Sequence, residues 1–525
     1  MNGAQALIRT LVDAGVDVCF MNPGTSEMHF VAALDSVPEM RGVLALFEGV
    51  ATGAADGYAR MADKPAGVLL HLGPGLGNGL ANLHNARKGQ VPIVNIVGDH
   101  ATYHKQYDAQ LESDIETVAR NVSSWIRWSA KPDEVGADAA EAVAAAMGPP
   151  GQVATLILPA DVSWLDGGVV AAPVAPPARA TVADDTIRAV ADVLRSGEPA
   201  ALFVGGSVLR TDGLDAASRA NASGAKLLAE TFPARLERGA GIPGVDRLAY
   251  LAEFAQAQMD GLRHMIVVDA KAPVSFFAYP NKASYLVPDG CEVHVLAGAS
   301  DDGVAALAAL ADELGAPADG ATPAAASRPD RPTGDLTAET VCAALGALLP
   351  EGAIVSDEGN TSGLWAPMFT AGAPAHDWLC LTGGAIGQGL PVATGAAIAC
   401  PDRPVICLES DGSSLYTIQS LWTMAREGLD VTTVLLNNRS YAVLNMELNR
   451  VGAEAGGPKA KEMLDLHRPD MDFVSIATGL GVPATRHHGG GVHDAARAGD
   501  RHARPGAGRG HRPRDVTAAQ TLRVR

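Results

Sequence analysis

Two apolar segments of this 525-residue chain lead into residues that offer oxygen atoms to a ligand. The run at 403–408 is followed by Asp411, and the run at 430–436 is followed by Asn438. Acids and amides that follow strands are typical of ligand sites in α/β proteins. Mg²⁺ takes about six oxygen ligands and usually fills several positions with phosphate and water. We therefore predict a Mg²⁺–diphosphate site in which Asp411, Asn438 and a backbone carbonyl near Ser440 supply the protein ligands.

The turn after Asp411 has the composition of an anion-binding turn. Gly412 lets the backbone approach a phosphate closely, and Ser413 adds a hydroxyl group. The helical pattern at 415–428 would direct its N-terminal amides toward the same place. An Asp-Gly turn alone is ordinary structure, so the prediction depends on its pairing with Asn438.

The segment 411–440 resembles the thiamine-diphosphate motif, Gly-Asp-Gly followed by Asn-Asn, of the acetolactate synthase and 2-oxo acid decarboxylase superfamily. The spacing between the acid and the amide matches, whereas Ser410 replaces the first glycine of the motif. The resemblance implies that thiamine diphosphate and Mg²⁺ are the cofactors. The implied metal ligands are Asp411, Asn438 and the carbonyl of Ser440. The residues implied to line the diphosphate are Gly412, Ser413 and Tyr441.

Catalysis with thiamine diphosphate needs a carboxylic acid beside the aminopyrimidine ring. The acid protonates a ring nitrogen and so helps to remove the proton from the thiazolium carbon. In "ALFEGVATGAADGYAR", Glu48 follows an apolar run and precedes a helix of small residues. Its surroundings resemble the acidic position of the family, so Glu48 is the predicted catalytic acid. The alternative is a glutamate that the helix dipole favours at this place.

Other parts of the cofactor site are assigned by the same resemblance. In "LTGGAIGQGLP", Ile386 would support the bent cofactor from below, and the carbonyl of Gly384 would accept a hydrogen bond from the aminopyrimidine. In "SDEGNTSGLW", Asn360 and Thr361 occupy positions that often contact the diphosphate.

A glycine-rich stretch, "HLGPGLGNGLANLHNA", begins at His71. It is not predicted to bind a dinucleotide, because no suitably placed acid about 20 residues later completes that motif. The distance of His71 from Glu48 matches a catalytic histidine of benzoylformate decarboxylase, so His71 is either a proton-transfer residue or a structural histidine at a strand end.

The resemblance also places Gln110 in the substrate pocket. Where benzoylformate decarboxylase has a second histidine, this chain has Phe277 and Ala278, and neither transfers protons; Phe277 is a predicted pocket residue.

The elements that must position these residues form three blocks. Two stretches rich in Pro, Ala and Gly, 166–182 and 316–334, lack periodicity and are predicted linkers. Continuous apolar runs alternate with helical segments, which is typical of parallel sheets buried on both faces. We predict an α/β protein with three doubly wound parallel-sheet domains in series. By resemblance these are a pyrimidine-binding domain at 1–165, a middle domain at 183–315 and a diphosphate-binding domain at 335–485.

Composition argues against several classes of partner. The formal charge of −19 disfavours nucleic acid and anionic membrane surfaces, and no run reaches the roughly 20 apolar residues that span a bilayer. Six cysteines without a CxxC pair indicate reduced thiols and a cytoplasmic location.

Residues 486–525 are rich in Arg, His and Gly. They are predicted to be a disordered tail or the product of a frameshift, in preference to a metal- or nucleic-acid-binding tract.

The resemblance implies an acetolactate synthase-like enzyme, which decarboxylates pyruvate and joins the fragment to a second 2-oxo acid in branched-chain amino acid biosynthesis. One alternative is a non-oxidative 2-oxo acid decarboxylase or lyase of the benzoylformate decarboxylase type. Another is a paralogue that binds the cofactor without catalysis. Active sites between subunits are implied, hence a homodimer or homotetramer. Segments 204–213 and 270–288 show no convincing FAD signature, and the sequence gives no support for a small regulatory subunit.

Overall fold

The computed structural model describes residues 1–453 and 456–487 and the backbone of residues 518–523. The predicted α/β fold with three mainly parallel sheets is confirmed. Within these described ranges, no helix combines the length and the apolar character needed to cross a lipid bilayer. Most of the predicted tail, residues 488–517 and 524–525, lies outside the described residues.

Six parallel strands form the sheet of the N-terminal block. They are β1 (Val18–Asn22), β2 (Arg41–Leu44), β3 (Ala66–Leu70), β4 (Ile93–Asp99), β5 (Ser123–Trp128) and β6 (Val153–Pro159), and their order in the sheet is β2-β1-β3-β4-β6-β5. β3, β4 and β6 are buried along their whole length, because helices cover both faces of the sheet. These helices are α1 (Gly3–Asp13), α2 (Met28–Ala33), α3 (Glu48–Ala62), α4 (Leu72–Lys88), α5 (Ile115–Ala119), α6 (Val135–Met147) and α7 (Ala160–Trp164).

The middle block has a five-stranded parallel sheet and one strand that leaves it. Its strands are β7 (Ala200–Val204), β8 (Lys226–Ala229), β9 (Leu236–Arg238), β10 (Asp246–Arg247), β11 (His264–Val268) and β12 (Glu292–Ala297). The order in the sheet is β10-β8-β7-β11-β12, whereas β9 joins the sheet of the third block. Its helices are α8 (Asp184–Arg195), α9 (Thr211–Ala220), α10 (Ala252–Met259) and α11 (Gly303–Glu313).

The third block contains a sheet with a parallel centre and antiparallel edges. Its strands are β13 (Ile354–Glu358), β14 (His376–Cys380), β15 (Val405–Ser410), β16 (Val431–Asn437), β17 (Ala484–His487) and β18 (Ala518–Arg523), in the order β17-β18-β16-β15-β13-β14-β9. β9 pairs antiparallel with β14, and β18 pairs antiparallel with both β16 and β17. Its helices are α12 (Ala338–Leu348), α13 (Asn360–Gly363), α14 (Ala366–Phe369), α15 (Gly389–Ala399), α16 (Asp411–Ser414), α17 (Ser420–Glu427), α18 (Ala442–Arg450), α19 (Pro458–Glu462) and α20 (Phe473–Gly479).

Two of these pairings bear on the predicted domain limits. β9 lies in the middle segment of the sequence but pairs with β14, and part of the predicted tail supplies β18 beside β16. We propose the division into 1–165, 183–315 and 335–485. One strand of the middle segment, β9, belongs to the sheet of the third block.

Helices α3 and α15 join the first block to the third. Gly395 on α15 lies so close to α3 that an added Cβ would stand 1.8 Å from the carbonyl oxygen of Ala54. A buried ion pair reinforces this contact: Arg60 binds Asp56 on α3 and also donates to the carbonyl of Cys380 at 2.8 Å. Close helix packing therefore accounts for the small residues of "GAADGYAR", and hydrogen bonds between blocks account for its arginine.

Replacing Gly395 by alanine tests this packing. Gly395→Ala is expected to cost about 1–3 kcal/mol of folding free energy, because the new methyl group overlaps a backbone carbonyl that moves only with α3. Thermal unfolding of the parent and the variant measures the loss. Gly479→Ala is the matched control, since it also changes a helical glycine but an added Cβ there meets no atom within 4 Å. Equal melting temperatures for Gly395→Ala and the parent would contradict the packing argument.

Candidate active site

Asp411 and Asn438 lie at the same edge of the third sheet. They follow β15 and β16 directly, and these two strands are parallel neighbours. The Asp411 carboxylate accepts hydrogen bonds from the N–H groups of Gly412 at 2.9 Å and Arg439 at 2.6 Å. The side-chain oxygen of Asn438 accepts one from the N–H of Ser440 at 3.0 Å. The structure thus brings the three predicted metal residues together.

The donor atoms at this edge suit a hard divalent cation. A carboxylate, an amide oxygen and a backbone carbonyl are the oxygen ligands that Mg²⁺ prefers. Asp411 is only 2% exposed, and burial raises the pKa of its carboxyl group although backbone N–H groups oppose the shift. A cation here would compensate for burying the negative charge. The residues therefore fit the metal that the sequence resemblance implies.

The residues predicted to line the diphosphate surround the same edge. Asn360, the first residue of α13, donates from Nδ2 to the hydroxyl of Ser413 at 2.9 Å. The ring of Tyr441 packs on Gly412, where an added Cβ would lie 2.6 Å from it. Thr361 follows in the same helix and is half-buried. The residues predicted to line the diphosphate thus lie in the short segments that follow β13, β15 and β16, at one end of the sheet.

The loop between β14 and α15, residues 381–388, carries Gly384 and Ile386 and is named the glycine loop. Gly384 has a φ of 74°, a left-handed conformation that glycine adopts without strain, and Ile386 is half-buried. Glu358, a residue that sequence analysis missed, holds this loop from below. Its carboxylate accepts a hydrogen bond from the N–H of Gly387 at 2.7 Å.

Glu358 belongs to a buried pair of carboxyl groups. It also accepts from the N–H of Gly389 at 2.5 Å, and it pairs in register with Glu409 on β15. Burial raises the pKa of both groups, that of Glu358 to about 7, and the Glu358 charge raises the pKa of Glu409 further. Two adjacent buried carboxylates do not both ionise readily, so the charge of one makes the other harder to deprotonate. Glu358 is the last residue of β13 and Glu409 the second-last residue of β15, so an acid at or near the end of each strand was the sequence signal for the pair.

Glu48 is the first residue of α3 and is 7% exposed. Its Oε2 accepts a hydrogen bond from Nδ2 of Asn78 on α4 at 3.0 Å. One turn later on α4, Asn82 donates to the carbonyls of Gly49 at 2.8 Å and Gly387 at 3.3 Å. Helix α4 therefore orients the predicted catalytic acid and links its helix to the glycine loop within one chain.

His71 lies at the N-terminus of α4, with its Nδ1 2.8 Å from Oε2 of Glu27. Glu27 is 1% exposed and accepts a further hydrogen bond from the N–H of Gly24 at 2.8 Å. Burial raises the pKa of Glu27, and His71 opposes the shift. Leu72, the next residue, has a φ of 52°, which is rare for a residue with a side chain. Glu27, which sequence analysis also missed, holds the imidazole of His71 through its Nδ1.

We expect Glu27→Gln to lower kcat about 10²-fold, because the neutral amide no longer stabilises a protonated imidazole and can present an N–H instead of an oxygen to Nδ1 of His71. His71→Ala should have a similar effect, and the double variant should lose little more, since the two residues act as one unit. Steady-state kinetics with the 2-oxo acids that the sequence resemblance implies would measure this. Glu39→Gln, an exposed glutamate of the same block, is the control. Parent-like turnover by Glu27→Gln would show that the pair is purely structural.

The two residues predicted for the substrate pocket are placed differently. Phe277 is 52% exposed, and its ring lies 4.9 Å from that of Phe276 in an edge-to-face contact. The Phe276 ring in turn occupies the space beside Gly384, so Phe277 lies near the glycine loop. Gln110 is exposed between β4 and α5, and no hydrogen bond among the described residues joins it to His71.

Comparisons with known proteins support one family. The model "Thiamine pyrophosphate enzyme, N-terminal TPP binding domain" matches residues 1–119, and "Thiamine pyrophosphate enzyme, C-terminal TPP binding domain" matches 357–505. A Mycobacterium tuberculosis protein named "Putative acetolactate synthase large subunit IlvX" is 65% identical over 491 residues, which are 93% of this chain and 94% of the relative. Benzoylformate decarboxylase of Pseudomonas aeruginosa is 29% identical over 513 residues, covering 90% and 91% of the two chains.

A solved structure shows the same fold. The thiamine diphosphate-dependent 4-hydroxybenzoylformate decarboxylase of Rhodococcus jostii RHA1 superposes with a TM-score of 0.77 at 23% identity, covering 92% of this chain and 93% of that one. Together with the matches along the sequence, this establishes that the chain belongs to the thiamine-diphosphate-dependent enzymes, in the group that includes acetolactate synthase and benzoylformate decarboxylase.

Proposed function

We propose that the protein uses thiamine diphosphate and Mg²⁺ to decarboxylate a 2-oxo acid and to join the fragment to a second 2-oxo acid. Pyruvate would be the first substrate and an acetohydroxy acid the product, as in branched-chain amino acid biosynthesis. The observation that carries the proposal is the grouping of Asp411, Asn438 and Ser440 at one edge of the third sheet, together with the buried Glu48 that Asn78 orients. The name of the 65% identical relative supports the synthase reaction.

At the diphosphate end, this chain's residues would act by charge and position. Asp411, Asn438 and the carbonyl of Ser440 would hold Mg²⁺, which neutralises the diphosphate. Gly412 and Ser413 would bring backbone and hydroxyl groups against the phosphate oxygens.

At the pyrimidine end, the bound cofactor would supply the carbon nucleophile and the electron sink. Glu48 would hold a proton at the aminopyrimidine ring nitrogen. The carbonyl of Gly384 would accept a hydrogen bond from the amino group, and Ile386 would support the bent conformation. His71, fixed by Glu27, would move protons at the substrate.

We propose a homodimer or homotetramer in which the Glu48 block of one subunit faces the Asp411 block of another. Large apolar side chains are exposed beside the diphosphate edge, and an apolar patch of this kind is typical of a protein interface. These side chains are Leu364, Trp365, Met368, Leu415 and Tyr416. We also propose a cytoplasmic location, supported by six free cysteines.

The second candidate is a non-oxidative decarboxylase of aromatic or bulky 2-oxo acids. It is favoured by the aromatic group beside the glycine loop, where the ring of Phe276 contacts Phe232, Tyr250 and Phe277 at centroid distances of 5.8, 5.4 and 4.9 Å. It is also favoured by the His71–Glu27 pair, which could deliver the proton that releases an aldehyde.

Product analysis separates the candidates. The enzyme, loaded with thiamine diphosphate and Mg²⁺, would be incubated with pyruvate or with benzoylformate, and acetohydroxy acids and aldehydes would be quantified. Acetolactate from pyruvate supports the first proposal, and benzaldehyde from benzoylformate supports the second. Bound cofactor without conversion of any 2-oxo acid tested would overturn both and favour a paralogue without this activity.

A further inference from the structure

The middle block brings three potential metal ligands together, far along the chain from the residues of the cofactor site. His264 is the first residue of β11 and pairs in register with Glu292, the first residue of β12. His294 follows two residues later on β12. Because side chains alternate along a strand, residues 292 and 294 share one face of the sheet with His264. β12 is the edge strand of this sheet, so solvent reaches the group.

The ligand atoms converge on one point. Nδ1 of His264 lies 3.0 Å from Nε2 of His294, and the latter lies 3.9 Å from Oε2 of Glu292. One ligand atom from each residue falls within 4.8 Å of the others. Tetrahedral Zn²⁺ with bonds of about 2.0–2.2 Å places neighbouring ligand atoms about 3.3 Å apart. The observed distances therefore need only small side-chain movements to accept an ion.

A second carboxylate orients the first imidazole. Oε2 of Glu198 lies 2.8 Å from Nε2 of His264, the ring nitrogen that faces away from His294. A carboxylate at this place accepts the Nε2–H and leaves the Nδ1 lone pair directed at the shared point, as in carboxylate–histidine–zinc arrangements.

We propose that His264 Nδ1, His294 Nε2 and the Glu292 carboxylate form a site for a divalent transition metal of the Zn²⁺ class, with water as the fourth ligand. Two imidazole nitrogens distinguish this donor set from the all-oxygen set at Asp411, so Zn²⁺ and Mg²⁺ would sort between the two sites. The ion would fasten the edge strand β12 to β11. A hydrogen bond between the two rings is the alternative.

Zinc binding to the full-length enzyme tests the proposal. The protein would first be freed of transition metals and saturated with Mg²⁺ and thiamine diphosphate. It would then be titrated with Zn²⁺ by calorimetry. His294→Ala should bind one equivalent per chain fewer than the parent, and Glu198→Gln should weaken that equivalent about 10–100-fold. Other histidines, including those of residues 488–525, contribute equally to every titration.

His104→Ala is the matched control, since His100 and His104 also lie with ring centroids 5.2 Å apart, the same separation as His264 and His294. It should keep the full stoichiometry. Zn²⁺ should also raise the melting temperature of the parent but not that of His294→Ala. Identical stoichiometry and affinity in the parent and His294→Ala, or unchanged affinity in Glu198→Gln, would overturn the proposal.

Discussion

Glu48→Gln is expected to bind thiamine diphosphate and Mg²⁺ with nearly parental affinity and to lose at least about 10³-fold in kcat. Glutamine keeps the shape and an acceptor for Asn78, which lies 3.0 Å from the parent carboxylate. It lacks the proton that a carboxylic acid shares with a ring nitrogen, so the chemical step fails while binding persists. Cofactor titration by circular dichroism and turnover of a 2-oxo acid measure the two properties separately.

The matched control for this variant is Glu39→Gln, which removes an exposed glutamate from the same block. It should retain both affinity and turnover. The turnover of Asn78→Ala should lie between those of Glu39→Gln and Glu48→Gln, because Glu48 stays in place but loses the amide that orients it. If Glu48→Gln turned over substrate normally, or lost the cofactor while retaining its fold, the assigned role would be wrong.

Asp411→Ala is expected to weaken cofactor binding by more than about 100-fold, since the metal would lose its only charged protein ligand. The parent side chain also accepts two backbone hydrogen bonds, from Gly412 and Arg439. Asp411→Asn is therefore the better probe, because it keeps the size of the side chain and one of the two acceptor oxygens while it removes the charge. Circular dichroism titration at fixed Mg²⁺ gives the affinity, and thermal unfolding of the cofactor-free proteins gives the cost to stability.

Asp402→Ala, in the exposed turn before β15, serves as the control and should bind the cofactor like the parent. The two predictions differ in the property that is lost: the Asp411 variants should lose cofactor affinity, whereas Glu48→Gln should lose turnover. Parental cofactor affinity in both Asp411 variants would remove the metal from this edge and with it the proposed diphosphate pocket.

The strands that carry the site were predictable because their patterns are local. The mostly apolar segments at 403–408 and 430–436 correspond closely to β15 and β16, since a strand buried on both faces needs no polar alternation. In a parallel sheet, a polar residue just after such a strand lies at the carboxyl edge. The grouping of Asp411 with Asn438 followed from this.

The residues that sequence analysis missed depend on contacts between distant segments. Glu27 and His71 are separated by 44 positions, and Glu358 reaches Gly387 across 29. Nothing near Glu27 in the sequence distinguishes it from a surface acid. Its partner is decided by the place of β3 beside β1 in the sheet. The pairing of β9 with β14 in the third sheet was not predicted, for the same reason.

The sequence by itself determined the α/β class, the residues that follow each core strand and the chemistry that those residues offer, because strand burial and turn composition are properties of short segments. Only the tertiary structure decided which acids are buried, which amides and imidazoles they meet, and how α3 packs on α15. Those outcomes depend on strand order and helix packing, which bring together atoms that the chain separates by tens to hundreds of residues.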